Sequence, residues 1–254
     1  GVSGSLFNVN EVTGLGNRGL ETVTGTSIIR IGAPFNAYYG FQALGIFQTA
    51  AEVASAPVQF GSLLTAPGDI RYADISGPAG KPDGIIDDND LSVIGTPYPK
   101  MSYNINGTLN YQGLDLSLVL HGLSGINRFL NGNGQGPMND DVTNSLEYWI
   151  DRWTPSKPST TLPRVGGINN TKISTFYLQD ASYLRLKNIE IGYTFPVAKT
   201  KKFLISKLRV YVSGQNLLTF TKMLYYDPER ANSTGTDQLV PLYKVYTAGI
   251  NLKF

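Results

Sequence analysis

The chain has 254 residues, of which 41% are hydrophobic and 16% charged, and its formal net charge is +2. This near-neutral balance gives no electrostatic argument for nucleic-acid binding, so we expect no nucleic-acid partner. The absence of cysteine excludes disulfides and thiolate chemistry, and a single histidine, His121, excludes a multi-histidine metal site built within the chain.

The first segments of the chain carry weak strand signals. No apolar run is long enough for a transmembrane helix. The opening stretch GVSGSLFNVN has no initiator methionine, basic segment or apolar core of a signal peptide, so we expect a fragment or a mature piece of a longer chain. The stretches SLFNVN (5–10) and TVTGTSIIRI (22–31) are interpreted as two further strands.

A hairpin with long arms is predicted at residues 101–122. In MSYNINGTLNY (101–111) and LDLSLVLHG (114–122), apolar and polar residues alternate with a period of two, which is typical of a strand with one apolar and one polar face. The Gln112-Gly113 pair between them is a turn signal. His121 closes the second arm on the polar parity, where we expect a structural role.

Three further strands follow the same alternation. They are predicted in NIEIGYTF (188–195), KLRVYVSGQNLLTF (207–220) and the last stretch, KVYTAGINLKF (244–254). In the last strand Tyr246, Ala248, Ile250, Leu252 and Phe254 share one parity.

The connections between the predicted strands are alternately short and long. Compact soluble domains rarely contain long irregular loops, whereas outer-membrane barrels combine short periplasmic turns with long extracellular loops. If the short turns face the periplasm, the C-terminus is periplasmic as well. The apolar parity would then face lipid and the polar parity a wet lumen. An antiparallel sheet packed on a soluble core would give the same alternation.

Several stretches resemble the C-terminal part of the SusC/RagA-like TonB-linked outer-membrane proteins. The resemblance extends from about Pro34 to the end of the chain, and its segments occur in order. They include PFNAYYGFQALGIFQTAAEV (34–53), GDIRYADISG (68–77), DASYLRLKNIEIGYTFP (180–196), LRVYVSGQNLLTFTKMLYYDPE (208–229) and YTAGINLKF (246–254).

This resemblance implies an all-β fold in which antiparallel strands form part of a large plugged outer-membrane barrel of about 22 strands. Residues 1–254 would supply about seven of these strands together with long extracellular loops, while the plug and the TonB-contacting segment would lie upstream. The family imports oligosaccharides, or in some members peptides, in partnership with a SusD-like surface lipoprotein, and TonB supplies the energy. The resemblance therefore implies a transporter and no enzyme.

An acidic stretch, DGIIDDND (83–90), is the most suggestive candidate for a metal site. Closely spaced carboxylates around a glycine are typical of calcium loops, so Asp74, Asp83, Asp87 and Asp90 are candidate Ca²⁺ ligands. With EF-hand spacing, positions 1 and 3 would fall on Ala79 and Lys81, which are poor ligands, unless PAGK (78–81) is an insertion. The alternative is a solvated turn whose carboxylates bind their own backbone.

Aromatic residues give two further candidates. Trp149 and Trp153 in EYWIDRW (147–153) would either contact a ligand or pack within their loop. The terminal Phe254 resembles the final aromatic residue of outer-membrane barrels, which implies an assembly signal.

Two other classes of protein remain open on the residues alone. A soluble all-β glycan-binding or adhesin module would use the acidic stretch as a calcium staple. An all-β glycoside hydrolase would need two carboxylates at a defined separation, and no suitable pair stands out in the sequence.

Overall fold

A computed structural model describes residues 22–61, 64–130, 136, 146–224, 226–229 and 242–254. The predicted strand in SLFNVN lies outside these residues. Eight short strands come first: β1 Thr22–Thr24, β2 Ser27–Ile29, β3 Ala37–Gly40, β4 Ala43–Ile46, β5 Val58–Gln59, β6 Ile70–Tyr72, β7 Ile85–Ile86 and β8 Ser92–Gly95.

Five of the seven strands that follow are long. In chain order the seven are β9 Met101–Tyr111, β10 Leu114–Ser124, β11 Asn127–Phe129, β12 Leu178–Asp180, β13 Tyr183–Thr194, β14 Lys207–Thr221 and β15 Val245–Lys253. The helices are short: α1 Ala50–Ser55, α2 Val197–Thr200, and 3₁₀ turns at Asp88–Asp90, Glu147–Asp151, Thr175–Tyr177 and Lys201–Phe203. None of the helices in the described ranges is long and apolar enough to cross a membrane.

The five long strands form one antiparallel sheet in the order β15-β14-β13-β10-β9. The predicted hairpin is confirmed, because β9 and β10 pair in register across a two-residue turn. Gln112 and Gly113 both have positive φ, at 46° and 86°, as a tight hairpin turn requires.

The register places the apolar side chains of all five strands on the same face of the sheet. One cross-strand row runs Leu109, Leu116, Ile191, Val212, Ala248, and the next polar row runs Thr108, Ser117, Glu190, Ser213, Thr247. We call these two surfaces the apolar face and the polar face. A one-residue slip in any pairing would mix them, so the register is set by the side-chain pattern.

A bulge interrupts this pattern at Lys187. The pairing shifts between Leu186 and Asn188, and β14 contributes two unpaired residues opposite the bulge. Beyond the bulge Leu186 pairs with Leu120 and Arg185 with His121, so the apolar and polar residues of β13 exchange parity there. The extra residue keeps the apolar face continuous while the strand bends.

The polar face contains two close approaches over glycines. A side chain at Gly192 would collide with the guanidinium of Arg209, and one at Gly249 would collide with the ring of Tyr211. Both long side chains therefore lie flat across a neighbouring strand. The Arg209 guanidinium stacks on the Tyr211 ring at 5.0 Å from its centroid.

The two ends of the sheet differ. Short connections join β9 to β10 and β13 to β14 at one end, which we call the turn end. At the other end, the loop end, the shorter elements pack around a core of aromatic and aliphatic residues: Tyr38, Phe41, Ile70, Tyr72, Ile86, Ile126, Phe129, Leu130, Tyr177, Ala181 and Met223. The long connection between β10 and β13 thus carries β11, β12 and part of this core.

The stretch 22–31 forms two short strands where one was predicted. Gly25, with φ +59°, turns the chain back after β1, so β1 and β2 pair as a small hairpin. This hairpin joins β3 and β8 in a separate four-stranded sheet of the loop end.

Candidate functional site

The acidic stretch folds into a turn that binds its own backbone. Asp90 is fully buried, and its carboxylate accepts hydrogen bonds from the backbone N–H groups of Ile75 (2.7 Å), Ser76 (3.0 Å) and Asp87 (3.0 Å). Asp87 in turn accepts from the N–H of Asn89 at 2.8 Å, which completes a capping box over the 3₁₀ turn.

The other two predicted calcium ligands also act on the backbone. Asp74 accepts from the N–H of Gly84 at 2.6 Å, and Asp83 accepts from that of Ile85 at 3.0 Å. No group of three acidic or histidine side chains is placed to hold a metal ion in the part of the chain that the structure describes. The contacts with the backbone match the alternative of a self-binding turn, although Asp90 is buried in it and not solvated, and calcium binding stays a prediction.

Chelation distinguishes these two interpretations. A cation that binds only the folded form stabilises it by mass action. If calcium binds, EDTA should lower the melting temperature of the intact protein, and Asp83→Ala with Asp74→Ala should remove that sensitivity while Asp90 keeps its backbone contacts. Calorimetry with and without calcium makes the comparison. The calcium concentration should be about 1 mM, which is near the dissociation constant of weak extracellular sites. If the melting temperature of neither the wild type nor the double variant changed when calcium was removed, calcium binding would be contradicted.

The two tryptophans lie inside the loop end. Trp149 is 3% exposed and Trp153 is 8% exposed. The ring of Trp153 packs directly over Gly68, and its indole N–H donates to Oε1 of Gln48 at 3.3 Å. Most of both aromatic surfaces is thus committed to packing. The edge of Trp153 also lines a shallow open cleft between Pro67, Arg152 and Arg164.

Next to this cleft a buried carboxylate joins two distant segments. Asp69 is 2% exposed and binds Arg164 through two hydrogen bonds of 2.7 and 3.0 Å. Its Oδ1 also accepts from the side-chain amide of Asn170 at 3.1 Å, and the Oδ1 of Asn170 accepts from the N–H of Ile70. This network fixes the GDIRY segment, which the sequence singled out without a role.

A second buried charge lies on the polar face, and the sequence did not indicate it. Arg185 of β13 is 2% exposed. Its guanidinium donates to both carboxylate oxygens of Asp227 at 2.8 Å, to Glu229 at 2.7 Å and to Oγ1 of Thr219 at 2.9 Å. Lys187 forms a further ion pair with Glu229. We call Arg185, Lys187, Asp227 and Glu229 the charge clamp.

The charge clamp holds the segment after β14 against the wall of the sheet. Burial by itself would raise the pKa of Asp227, but the hydrogen bonds and the positive charge of Arg185 outweigh it and lower that pKa below its ordinary value. The carboxylate is therefore charged at neutral pH. Beside it, the Tyr183 hydroxyl lies 3.0 Å from Nδ1 of His121, so the predicted structural role of His121 has a visible partner.

Near the turn end the polar face carries a third ionic group. Arg209 donates to Glu190 at 2.7 Å and forms a two-pronged contact with Asp115. The three residues belong to three adjacent strands. The polar face thus has charged networks near both ends, whereas its opposite side is apolar.

The last candidate, Phe254, follows β15 at the turn end and is 80% exposed. It shares the parity of the apolar residues of β15. This strand is an edge strand, because it pairs only with β14 among the described residues. Its predicted role in assembly depends on other proteins, so it stays a prediction.

Comparison with known proteins finds relatives that are TonB-dependent receptors. The chain is 31% identical over 243 residues to TonB-dependent receptor P3 of Formosa agariphila, which covers 90% of this chain and 23% of the receptor. It is 28% identical over 258 residues to TonB-dependent receptor P26 of the same organism, covering 97% and 24%. No protein-family model matches the chain.

Solved structures of the RagAB peptide importer share the fold. The open-open state matches with a TM-score of 0.69 and 25% identity, over 94% of this chain and 24% of that one. A second structure, of the RagAB peptide transporter, matches with a TM-score of 0.68 over 92% of this chain. The predicted all-β class with antiparallel barrel strands is thereby confirmed.

The chain spans about a quarter of the length of these relatives. The relatives are receptors and transporters, which agrees with the expectation that the chain is no enzyme. The resemblance read from the sequence is confirmed: the chain is homologous to part of the TonB-dependent receptors of the SusC/RagA-like kind.

Proposed function

We propose that the chain forms the C-terminal wall of an outer-membrane importer that depends on TonB. The observation that carries the proposal is the exposed apolar face of the five-stranded sheet. Leu109, Ile191, Val212 and Ile250 are between 45% and 65% exposed although they lie in one continuous surface. Soluble proteins rarely expose contiguous apolar patches of this extent, whereas lipid would cover it.

The opposite side of the same strands supports this assignment. Ion pairs of Arg209 and Arg185 lie on the polar face, where a water-filled lumen would solvate their outer edges. The turn end then faces the periplasm together with Phe254, and the ordered loop end faces outward. In this orientation the aromatic core of the loop end forms part of the extracellular vestibule.

We further propose that the complete receptor works with a SusD-like surface lipoprotein and contacts TonB through its upstream part. Its substrate would be an oligosaccharide or a peptide. The similarity to the RagAB peptide importer makes peptides the first class to test. The alternative of a soluble glycan-binding module has no comparable support, because such a module would have to cover the apolar face by other means.

Two measurements on the full-length receptor test this function. Affinity purification from outer membranes in mild detergent should co-elute a lipoprotein in stoichiometric amount. Uptake of labelled peptides and labelled oligosaccharides should be compared in cells that carry or lack the receptor, with and without a protonophore. Uptake of one class that needs both the receptor and the proton-motive force supports the proposal. A receptor that partitions into the soluble fraction without detergent would contradict it.

Deleting Phe254 from the full-length receptor should sharply lower its amount in the outer membrane, while Phe254→Tyr is tolerated. The reason is that an unpaired edge strand with an apolar face offers a template for strand addition to the assembly machinery. Fractionation and immunoblotting measure the amount. Leu44→Ala, at an exposed apolar position of the loop end, is the control. A normal level of the deletion variant would show that the aromatic residue is no assembly signal.

A further inference from the structure

Positive charge is concentrated at the turn end of the sheet. Five of the twelve lysines lie there, namely Lys199, Lys201, Lys202, Lys207 and Lys253. No acidic residue occurs between positions 191 and 226, and all five side chains are exposed. None of them forms an ion pair within the described part of the chain, and Asp115 of the neighbouring strand β10 is paired with Arg209. No salt bridge in these residues therefore neutralises the lysine charges.

The same turn presents exposed apolar side chains beside these lysines. Phe203 is 72% exposed and Leu204 is 84% exposed. Leu204 also adopts a left-handed backbone conformation with φ +60°, which costs energy for a residue other than glycine. Burial of the Leu204 side chain does not offset this cost, because the side chain is almost fully exposed.

Phe203 and Leu204 lie in the turn just before β14, next to the last apolar pair of the sheet, Leu208 and Leu252. Ser206 donates from its backbone N–H to the carbonyl of Lys253 at 2.7 Å, which ties the turn to the end of β15. The turn end therefore combines a rim of lysines with aromatic and aliphatic groups at the boundary of a lipid-facing surface. Interfacial protein segments that bind anionic lipid have this composition.

We propose that residues 197–204 form an anchor that binds anionic phospholipids of the periplasmic leaflet. Phe203 and Leu204 enter the boundary between head groups and acyl chains, and Lys199, Lys201 and Lys202 contact the lipid phosphates. The proposal rests on the proposed membrane function of the chain. It adds a preference for anionic lipid and names the segment that binds this lipid. Insertion of a barrel into a membrane requires no such preference.

A fluorescence experiment on the full-length receptor tests the anchor. Phe203→Trp places a reporter in the turn, and the receptor is reconstituted into phosphatidylcholine vesicles that contain a minor fraction of brominated phosphatidylglycerol or of brominated phosphatidylcholine. Subtracting the signal of the unsubstituted receptor isolates the reporter. We expect brominated phosphatidylglycerol to quench it at least about twofold more strongly, because lysines near a membrane surface attract anionic lipid. High salt should remove the difference.

Matched lysine variants identify the segment that selects the lipid. In the reporter background, Lys199→Gln, Lys201→Gln and Lys202→Gln together should bring the two lipids to equal quenching. The same changes at Lys81, Lys100 and Lys222, which are exposed at the loop end, should leave the preference intact. Equal quenching by both lipids before any lysine change would overturn the anchor. Flotation with the vesicles separates this result from failure of the proposed function. A receptor that does not float with the vesicles is not inserted in the membrane, which would contradict the proposed function itself.

Discussion

Replacing Arg185 by methionine in the full-length receptor should detach the segment after β14 from the sheet. The methionine fills much of the same space but leaves Asp227 and Glu229 without their main partner. Breaking a buried ion pair by removing one partner costs about 3–5 kcal/mol. Hydrogen exchange at the hydrogen-bonded amides of Leu224, Tyr226 and Glu229 should accelerate by about two to four orders of magnitude, because each 1.4 kcal/mol corresponds to a tenfold change.

The charge clamp also predicts an acid transition. The pKa of Asp227 is lower in the folded protein than its ordinary value, so its contribution to stability is complete above the ordinary carboxyl range and is lost as pH falls through the folded-state pKa. Protection of this segment, measured against the intrinsic exchange rate at each pH, should thus fall below about pH 4. Arg185→Met should abolish this loss of protection in acid, because the group that lowers the pKa of Asp227 is gone. The triple variant that adds Asp227→Asn and Glu229→Gln should recover part of the lost protection.

Lys187→Met is the control for the charge clamp, because Lys187 is more exposed and contacts only one of the two acids. An exposed pair contributes about 1 kcal/mol or less, so exchange should change little. If Arg185→Met and Lys187→Met gave equal exchange rates, the buried guanidinium would not be what holds the segment.

Placing arginine on the apolar face should block membrane insertion. Ile191→Arg, three residues before the end of β13, would put a charge into the hydrocarbon layer at a cost of up to about 2–4 kcal/mol. Leu116→Arg and Val210→Arg lie on the same face and should act alike. Outer-membrane yield and heat-modifiable gel mobility measure the effect.

The matched change on the polar face is Ser213→Arg, because Ser213 lies one row from Ile191 and points to the other side. Ser117→Arg serves as a second control. Both should be milder, since a wet lumen solvates the charge. Glu190→Arg is unsuitable, because it would also remove a partner of Arg209. Equal losses on both faces would refute the lipid-facing assignment.

The long strands could be predicted from sequence because their information is local. Alternation over about ten residues, together with a Gln-Gly turn, sufficed to place β9 and β10 within a few residues of their ends. The short strands of the loop end could not be found in this way. A strand of three residues, such as Ile70–Tyr72, has no period to detect, and it exists because the Asp69 network and the aromatic core hold it.

The charge clamp escaped prediction for a different reason. Counting by parity along β13 puts Arg185 on the same side as Ile189 and Ile191, which would be the lipid side. The bulge at Lys187 reverses this, and nothing in the local sequence marks it. The partners of Arg185 lie 42 and 44 residues away, so the Asp-Pro-Glu stretch that contains them had no derivable role until the fold was known.

The flat side chains on the polar face influence how much space the wall leaves. Gly192, Tyr211 and Gly249 occupy one cross-strand row, and the guanidinium of Arg209 and the ring of Tyr211 lie along that row. In the proposed barrel wall, these two side chains lie along the surface, whereas upright arginine and tyrosine side chains would narrow the lumen. Substituting either glycine with a larger residue would lift these groups into the passage. In the proposed importer, two residues without side chains would thus give a bulky cargo more clearance along this part of the wall.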